Sequence, residues 1–178
     1  MCEYPFVLVV GGARSGKSRY AETLAARSGA AVTYLATAGP PRDAEMAERI
    51  ATHQARRPPE WSTREITVSI AETVRQARGV LLVDCMTLWL TNLVLSERNV
   101  AGETETLLDA IAARQAAIVA ISNEVGEGIV PATALGRAFR DQQGVLNQRL
   151  ASAASTVVKM VAGCPLIVKP TSQPELTL

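Results

Sequence analysis

Apolar runs of strand length recur along the chain: FVLVV at 6–10, AVTYLAT at 31–37, GVLLVDC at 79–85, AAIVAIS at 116–122, STVVKMVA at 155–162 and PLIVK at 165–169. Several are apolar throughout instead of alternating, as strands covered on both faces require. Segments 17–28, 43–56, 67–77, 86–95, 104–115 and 135–153 between them carry helical patterns. This alternation predicts an α/β fold: a mostly parallel sheet, helices on both faces and right-handed crossovers. The last two strands are separated by so little chain that they predict a hairpin, and hence an antiparallel edge. Residues 1–169 are expected to form a single domain. The end, PTSQPELTL at 170–178, has two prolines and no core pattern, and is expected to be a loose tail.

Composition narrows the picture. Of 178 residues, 48% are apolar and 20% charged, which is globular usage, and aromatics at 4% leave the core to Val, Leu, Ile and Ala. A net charge of +1 supplies no field favouring nucleic acid or an acidic membrane. The three cysteines, Cys2, Cys85 and Cys164, are far apart, which argues against a disulfide framework or a zinc site. The first apolar run is too short to span a bilayer and lacks the marks of a signal peptide. A cytoplasmic setting without stable membrane insertion is therefore expected.

The first strand runs into GGARSGKS: Gly11, Gly12, Ala13, Arg14, Ser15, Gly16, Lys17 and Ser18. It fits G-x-x-x-x-G-K-[ST], between a strand and a helix, where that pattern binds phosphate. Its glycines let backbone N–H groups wrap a phosphate, and the helix N-terminus adds its positive end. Lys17 is suited to the β and γ phosphates, and the Ser18 hydroxyl to Mg²⁺. Such a loop also needs a carboxylate at the end of a nearby strand, and VLLVDC offers Asp84. The chain thus handles a nucleoside triphosphate, which leaves a small-molecule kinase, a nucleotidyltransferase, a GTPase switch or a motor ATPase open. A GTPase usually carries N-K-x-D after a later strand. Here SNEVG at 122–126 lacks the lysine, which weakens the switch reading.

Several stretches together resemble one family: GGARSGKS, ATAG followed by DAEMAERIATHQARRPPEWSTRE, LVDCMTLWLTNL, SNEVGEGIVPATALGRAFRDQQGVLNQRLA and GCPLIVK. They are similar to the bifunctional adenosylcobinamide kinase / adenosylcobinamide-phosphate guanylyltransferases of cobalamin biosynthesis, from about residue 7 to residue 169. The resemblance implies a RecA-related P-loop fold and a homotrimer. It also implies two reactions in one chain. ATP or GTP phosphorylates the aminopropanol hydroxyl of adenosylcobinamide; GTP then donates GMP to that phosphate, giving adenosyl-GDP-cobinamide and pyrophosphate. The second reaction passes, in the family, through a GMP–histidine intermediate, and the matching residue is His53, the only histidine in the chain.

The resemblance further implies nucleotide contacts from Ala36, Thr37 and Ala38, from Gln54, Ala55, Arg56 and Arg57, and from Glu65, an acidic position suited to guanine or ribose. Asp84 and Ser18 would share one Mg²⁺, partly through water. The residues around His53 bear on this directly. If Asp43 caps a helix, then Met46, Arg49, Ile50, His53 and Arg57 share one face, with the apolar members packed inward. Guanidiniums hold phosphate oxygens bidentately, and their field should disfavour imidazolium, the non-nucleophilic form. Trp61 suits either base stacking or packing, and SNEVGEGIVP, with Asn123 and Glu124, either a substrate-facing loop or a structural turn. Arg137, Arg140, Asp141 and Asn147 fall on a long helix and suit an interface. Two departures stand out: Ser155 lies where many members are acidic, and the tail runs past the usual end.

Overall fold

A computed structural model of the chain describes residues 4–41 and 43–171, apart from the Arg49 side chain. The expected tail therefore lies, from residue 172 onward, outside the described residues, as does Cys2. The elements run β1 (Phe6–Gly11), α1 (Lys17–Arg27), β2 (Val32–Ala36), α2 (Ala44–Ala55), β3 (Ser62–Glu65), α3 (Ala71–Gln76) and β4 (Val80–Asp84). They continue with α4 (Met86–Leu95), α5 (Val100–Ala112), β5 (Ala117–Asn123), α6 (Ala134–Ala153), β6 (Thr156–Val161) and β7 (Cys164–Lys169). The strands form one sheet in the order β3-β2-β4-β5-β1-β6-β7. All pairings are parallel except β6 with β7, the predicted antiparallel edge.

The near-continuous apolar strands follow from burial on both faces. Phe6, Leu8, Leu81, Val83, Ile118 and Ala120 join Trp89, Leu107 and Leu146 in a core on one side. Their neighbours Val9, Leu82, Val119 and Ile121 pack on the other side with Ala21 and Ala25 of α1. Because successive side chains alternate, each strand feeds both layers. Truncating one central residue, such as Leu81 to alanine, costs about 2–5 kcal/mol.

Three elements depart from the sequence expectation. Strand β3 is exposed throughout and reads STRE, so no apolar pattern announces it. It exists by backbone pairing with β2, from Thr33↔Ser62 to Ala36↔Glu65. Helix α3 starts at Ala71 and not at 67, because tertiary donors hold the preceding carbonyls. Asn92 Nδ2 donates to Thr67 O at 3.0 Å, and Trp89 Nε1 to Val68 O at 2.6 Å. Helix α5 starts at Val100, four residues early, because Asn99 Oδ1 caps it through Gly102 N at 3.1 Å. The parallel register then brings the carboxyl ends of β1, β2, β3, β4 and β5 to one edge of the sheet, where open α/β folds bind ligands.

Candidate active site

Between β1 and α1 the chain makes a tight loop. Arg14 has φ 55° and Gly16 φ 91°, the latter at the helix N-cap. Only glycine adopts the second without strain. Gly11 is fixed by crowding, since a Cβ there would lie 2.7 Å from Ser15 Oγ and 2.9 Å from Met160 O. The β6–β7 turn braces the loop through Gly163 N, which donates to Ser15 O at 3.1 Å. Lys17 is buried, and its ammonium donates to Gly12 O at 2.8 Å, folding back across the loop where phosphate oxygens would compete for it. Ser15 Oγ is buried with no partner among the described residues, a hydroxyl available to a ligand.

A cavity of about 570 Å³ opens beside this loop. Lys17 and Ser18 line one side; Met46, Ile50, His53, Gln54 and Arg57 of the α2 segment line another. The capping expectation holds, because Asp43 Oδ1 accepts from Met46 N at 2.7 Å. The expected inward packing needs correction: Met46 and Ile50 are half-buried and face the cavity, making an apolar wall for a ligand. The Arg49 side chain lies outside the described residues. Ala55 is exposed and does not line the cavity, and Arg56 stands at the margin, paired with Glu22 at 3.4 Å. Burial raises the Glu22 carboxyl, only partly countered by Arg56 and His53.

The imidazole is not set by arginines alone, as the sequence suggested. His53 Nδ1 lies 3.4 Å from Asp84 Oδ2 and 3.3 Å from Arg56 Nη2. A guanidinium only donates and a carboxylate only accepts, so Nδ1 serves one of them at a time. With a proton on Nδ1 directed at Asp84, Nε2 keeps its lone pair for attack. Asp84 also accepts from Tyr34 OH at 2.6 Å. Burial pushes the Asp84 carboxyl up, but hydrogen bonds from His53 and Tyr34 and the charges of His53 and Arg57 outweigh it. The net value lies below the ordinary carboxylate range. The same burial and the adjacent Asp84 charge push the Tyr34 phenol far up, so it stays a donor.

Tyr34 is sandwiched. Arg57 Cζ sits 3.7 Å over its ring, and Trp61 meets it at 6.5 Å with planes tilted by 30°. Trp61 is thus buried packing, not a free stacking surface. Arg57 Nε is buried without a partner among the described residues, a donor left for a bound anion. Neither Tyr34 nor Glu22 carries a sequence signal; their roles follow from the pairing of β2 with β4 and from the ion pair that links α1 to Arg56 at the end of α2.

The rest of the wall comes from strand ends. Glu65 at the end of β3 is exposed at the cavity rim, and Ala36, Ala38 and Asp84 line the cavity. Thr37 does not: it is fully buried, its hydroxyl donating to Cys85 O at 2.7 Å and accepting from Cys85 N at 2.8 Å. It clamps the end of β4 instead of facing a ligand. The peptide bond between Asp84 and Cys85 is cis. Asn123 lines the cavity, whereas Glu124 closes its own turn by accepting from Gly126 N at 2.6 Å. On α6, Asn147 is buried against β5, Arg137 donates to Pro131 O and Ala132 O, and Arg140 pairs with Asp141. Ser155 Oγ accepts from Phe6 N at 3.1 Å and donates to Phe6 O at 3.0 Å, tying the start of β6 to β1.

Among the described residues no group of three or more His, Cys, Asp or Glu could hold a metal ion unaided. Ser18 brings a hydroxyl and Asp84 a carboxylate to the same cavity. That donor set fits Mg²⁺, which keeps most of its shell as water and phosphate oxygen.

The family model for cobinamide kinase / cobinamide phosphate guanyltransferase matches residues 7–168. A bifunctional adenosylcobalamin biosynthesis protein from Pseudomonas aeruginosa is 48% identical over 91% of this chain and 96% of its own length. Its counterpart from Escherichia coli is 38% identical over 92% and 99%. Two solved structures share the fold at low identity. One is the flagellar accessory protein FlaH from Methanocaldococcus jannaschii (TM-score 0.51, 14% identity, covering 93% of this chain and 78% of that one). The other is a type III secretion ATPase (TM-score 0.52, 13% identity, 87% and 50%). The fold is therefore that of RecA-like P-loop proteins, and the chain belongs to the cobinamide kinase / cobinamide phosphate guanyltransferase family.

Proposed function

We propose that this one cavity carries both reactions: phosphorylation of adenosylcobinamide by ATP or GTP, then transfer of GMP from GTP through a covalent GMP–His53 intermediate. The observation that carries the reading is the presence of Lys17, Ser18 and His53 on the walls of the same cavity. In the first reaction the loop amides and Lys17 hold the β and γ phosphates while the substrate hydroxyl attacks the γ phosphorus. In the second, His53 attacks the α phosphorus and pyrophosphate leaves; a phosphate oxygen of adenosylcobinamide phosphate then attacks the same phosphorus and frees the imidazole. Asp84 holds the Nδ1 proton so that Nε2 faces phosphorus, and Arg57, whose Nε has no partner among the described residues, binds the phosphate undergoing attack. Glu65 at the rim would accept from guanine or ribose. Bound Mg²⁺ would supply charge neutralisation at the phosphates, held by Ser18 and, partly through water, by Asp84.

The chain is further proposed to be a homotrimer working in the cytoplasm. The free thiols of buried Cys85 and exposed Cys164 suit a reducing compartment. No helix among the described residues is long and apolar enough to cross a membrane. Exposed Leu166, Ile167 and Val168 on β7 suit a subunit contact.

The test is His53→Asn, which nearly preserves volume and removes the nucleophile. With α-labelled GTP the wild-type protein acquires label that is lost in acid and kept in alkali; γ-labelled GTP gives none. The variant acquires no label and transfers no GMP, yet still phosphorylates adenosylcobinamide. GMP transfer by the variant at near wild-type rate would sink the covalent route.

A further inference from the structure

Strand β5 lies between the strand that leads into the phosphate loop and the strand that ends in Asp84. In register, Asn123 is opposite Gly11 of β1, and Ile121 is opposite Asp84 of β4. The last residue of β5 therefore stands between the phosphate loop and the carboxylate. That residue is Asn123, half-buried on the cavity wall with Lys17 and Ser18.

Its backbone is fixed from both sides. Asn123 N donates to Thr87 Oγ1 at 2.8 Å, and Asn123 O accepts from Asn147 Nδ2 at 3.0 Å. The next residue ties in the loop, as Glu124 N donates to Gly11 O at 3.0 Å. Behind Asn147 lies a buried polar cluster. Ser122 Oγ donates to Asn147 Oδ1 at 2.6 Å, and Gln143 Nε2 donates to Ser122 Oγ and Asn147 Oδ1 at 3.0 and 2.9 Å. Burying three polar side chains in an otherwise apolar layer is costly, the more so because Gln143 Oε1 has no partner, and among the described residues the cluster's one outward connection is to the Asn123 carbonyl. The side chain differs. Among the described residues the Asn123 carboxamide has no hydrogen-bond partner. A rigid backbone carrying an uncommitted donor and acceptor into a phosphate site is a preorganised contact.

We infer that Asn123 is a catalytic residue of the phosphorylation step, its Nδ2 donating to a γ-phosphoryl oxygen and its Oδ1 accepting from the attacking hydroxyl, with Asn147 as its positioning residue. In that step the substrate oxygen bonds to the γ phosphorus, and the bond to the bridging oxygen breaks. The nucleoside diphosphate leaves with the electron pair, and the hydroxyl proton passes to water. One carboxamide touching both partners sets the line of attack. In guanylylation the reacting atom is the α phosphorus and the nucleophile is His53, so this contact has no equivalent there.

The inference rests on the cavity being the kinase site, so Lys17→Ala is assayed beside Asn123→Ala. For Asn123→Ala, phosphorylation kcat falls about 100-fold, the loss of one transition-state donor. Its KM for nucleotide stays within about threefold, as expected of a contact made mainly in the transition state. Labelling of His53 by α-labelled GTP falls far less. Asn147→Asp, which removes the donor to the Asn123 carbonyl, lowers kcat by a smaller factor at unchanged KM. Lys17→Ala inactive with Asn123→Ala at wild-type kcat would overturn the Asn123 role alone. A fully active Lys17→Ala would overturn the cavity assignment and this inference together. Equal losses of phosphorylation, nucleotide affinity and His53 labelling in Asn123→Ala would make the residue mere scaffold and also overturn it.

Discussion

A single carboxylate organises the reactive end of the cavity. Asp84 Oδ2 meets Tyr34 OH at 2.6 Å and His53 Nδ1 at 3.4 Å, with its side chain only 13% exposed. An ion so placed is tolerated because it is surrounded by donors, and the balance leaves its carboxyl below the ordinary range. The linkage sign follows. A carboxyl depressed in the folded state adds stability above its unfolded value, about 3.9, and that stability is lost as pH falls through the lower folded value. Asp84→Asn lacks this dependence. In ligand-free protein, the stability of wild type relative to Asp84→Asn should therefore be greatest near neutrality and decline on acidification below about pH 4. Urea melts of both proteins at several pH values measure it. A relative stability that rises on acidification would mean Asp84 is destabilised as an anion, against the donor cluster drawn here.

At the scale of elements, packing accounts for one fixed glycine of the phosphate loop. Gly11 holds a fixed position of the pattern and Gly12 only a variable one, and packing draws the same line: a Cβ at Gly11 meets the Met160 carbonyl at 2.9 Å while one at Gly12 meets nothing within 4 Å. Gly11→Ala should lower stability by about 1–3 kcal/mol, or roughly 2–12 °C in Tm, whereas Gly12→Ala leaves the ligand-free Tm nearly unchanged. Equal Tm values for the two variants would refute the wedge of β1 against β6. The apolar strands, the loop and the capped helix of His53 were readable because each imposes a local rule on residue type. Strand β3 was not, because backbone pairing at an edge places no demand on STRE. The site was half readable for a similar reason. Lys17 and Asp84 sit at stations the fold reserves for them, but Tyr34 and Thr37 act across the β2–β4 pairing, whose partner no local pattern names. Thr37 sat beside two cavity-lining alanines and nonetheless turned inward to Cys85.

The whole molecule treats its two sheet edges in opposite ways. At one end β3 is short and polar, a form that discourages further pairing. At the other, β7 presents Leu166, Ile167 and Val168 to solvent, with Val161 exposed on its partner strand β6. Consecutive exposed residues on a strand point to both faces, so among the described residues neither face of β7 is covered. Ile129, Val130 and Leu135, around the start of α6, are also exposed, Ile129 by 98%. Exposed aliphatic side chains on an edge strand suit a contact with another chain. A stable contact buries about 1,200–2,000 Å² in total, more than one strand offers, so these apolar residues would need polar neighbours around them. Ile167→Lys places a charge at the middle of β7 without touching the cavity. By light scattering after gel filtration, the wild-type chain should run as a trimer and Ile167→Lys as a smaller species with an unchanged ligand-free circular dichroism spectrum. A wild-type monomer, or a trimer indifferent to this charge, would remove β7 from the assembly and leave its aliphatic edge to be explained by another partner.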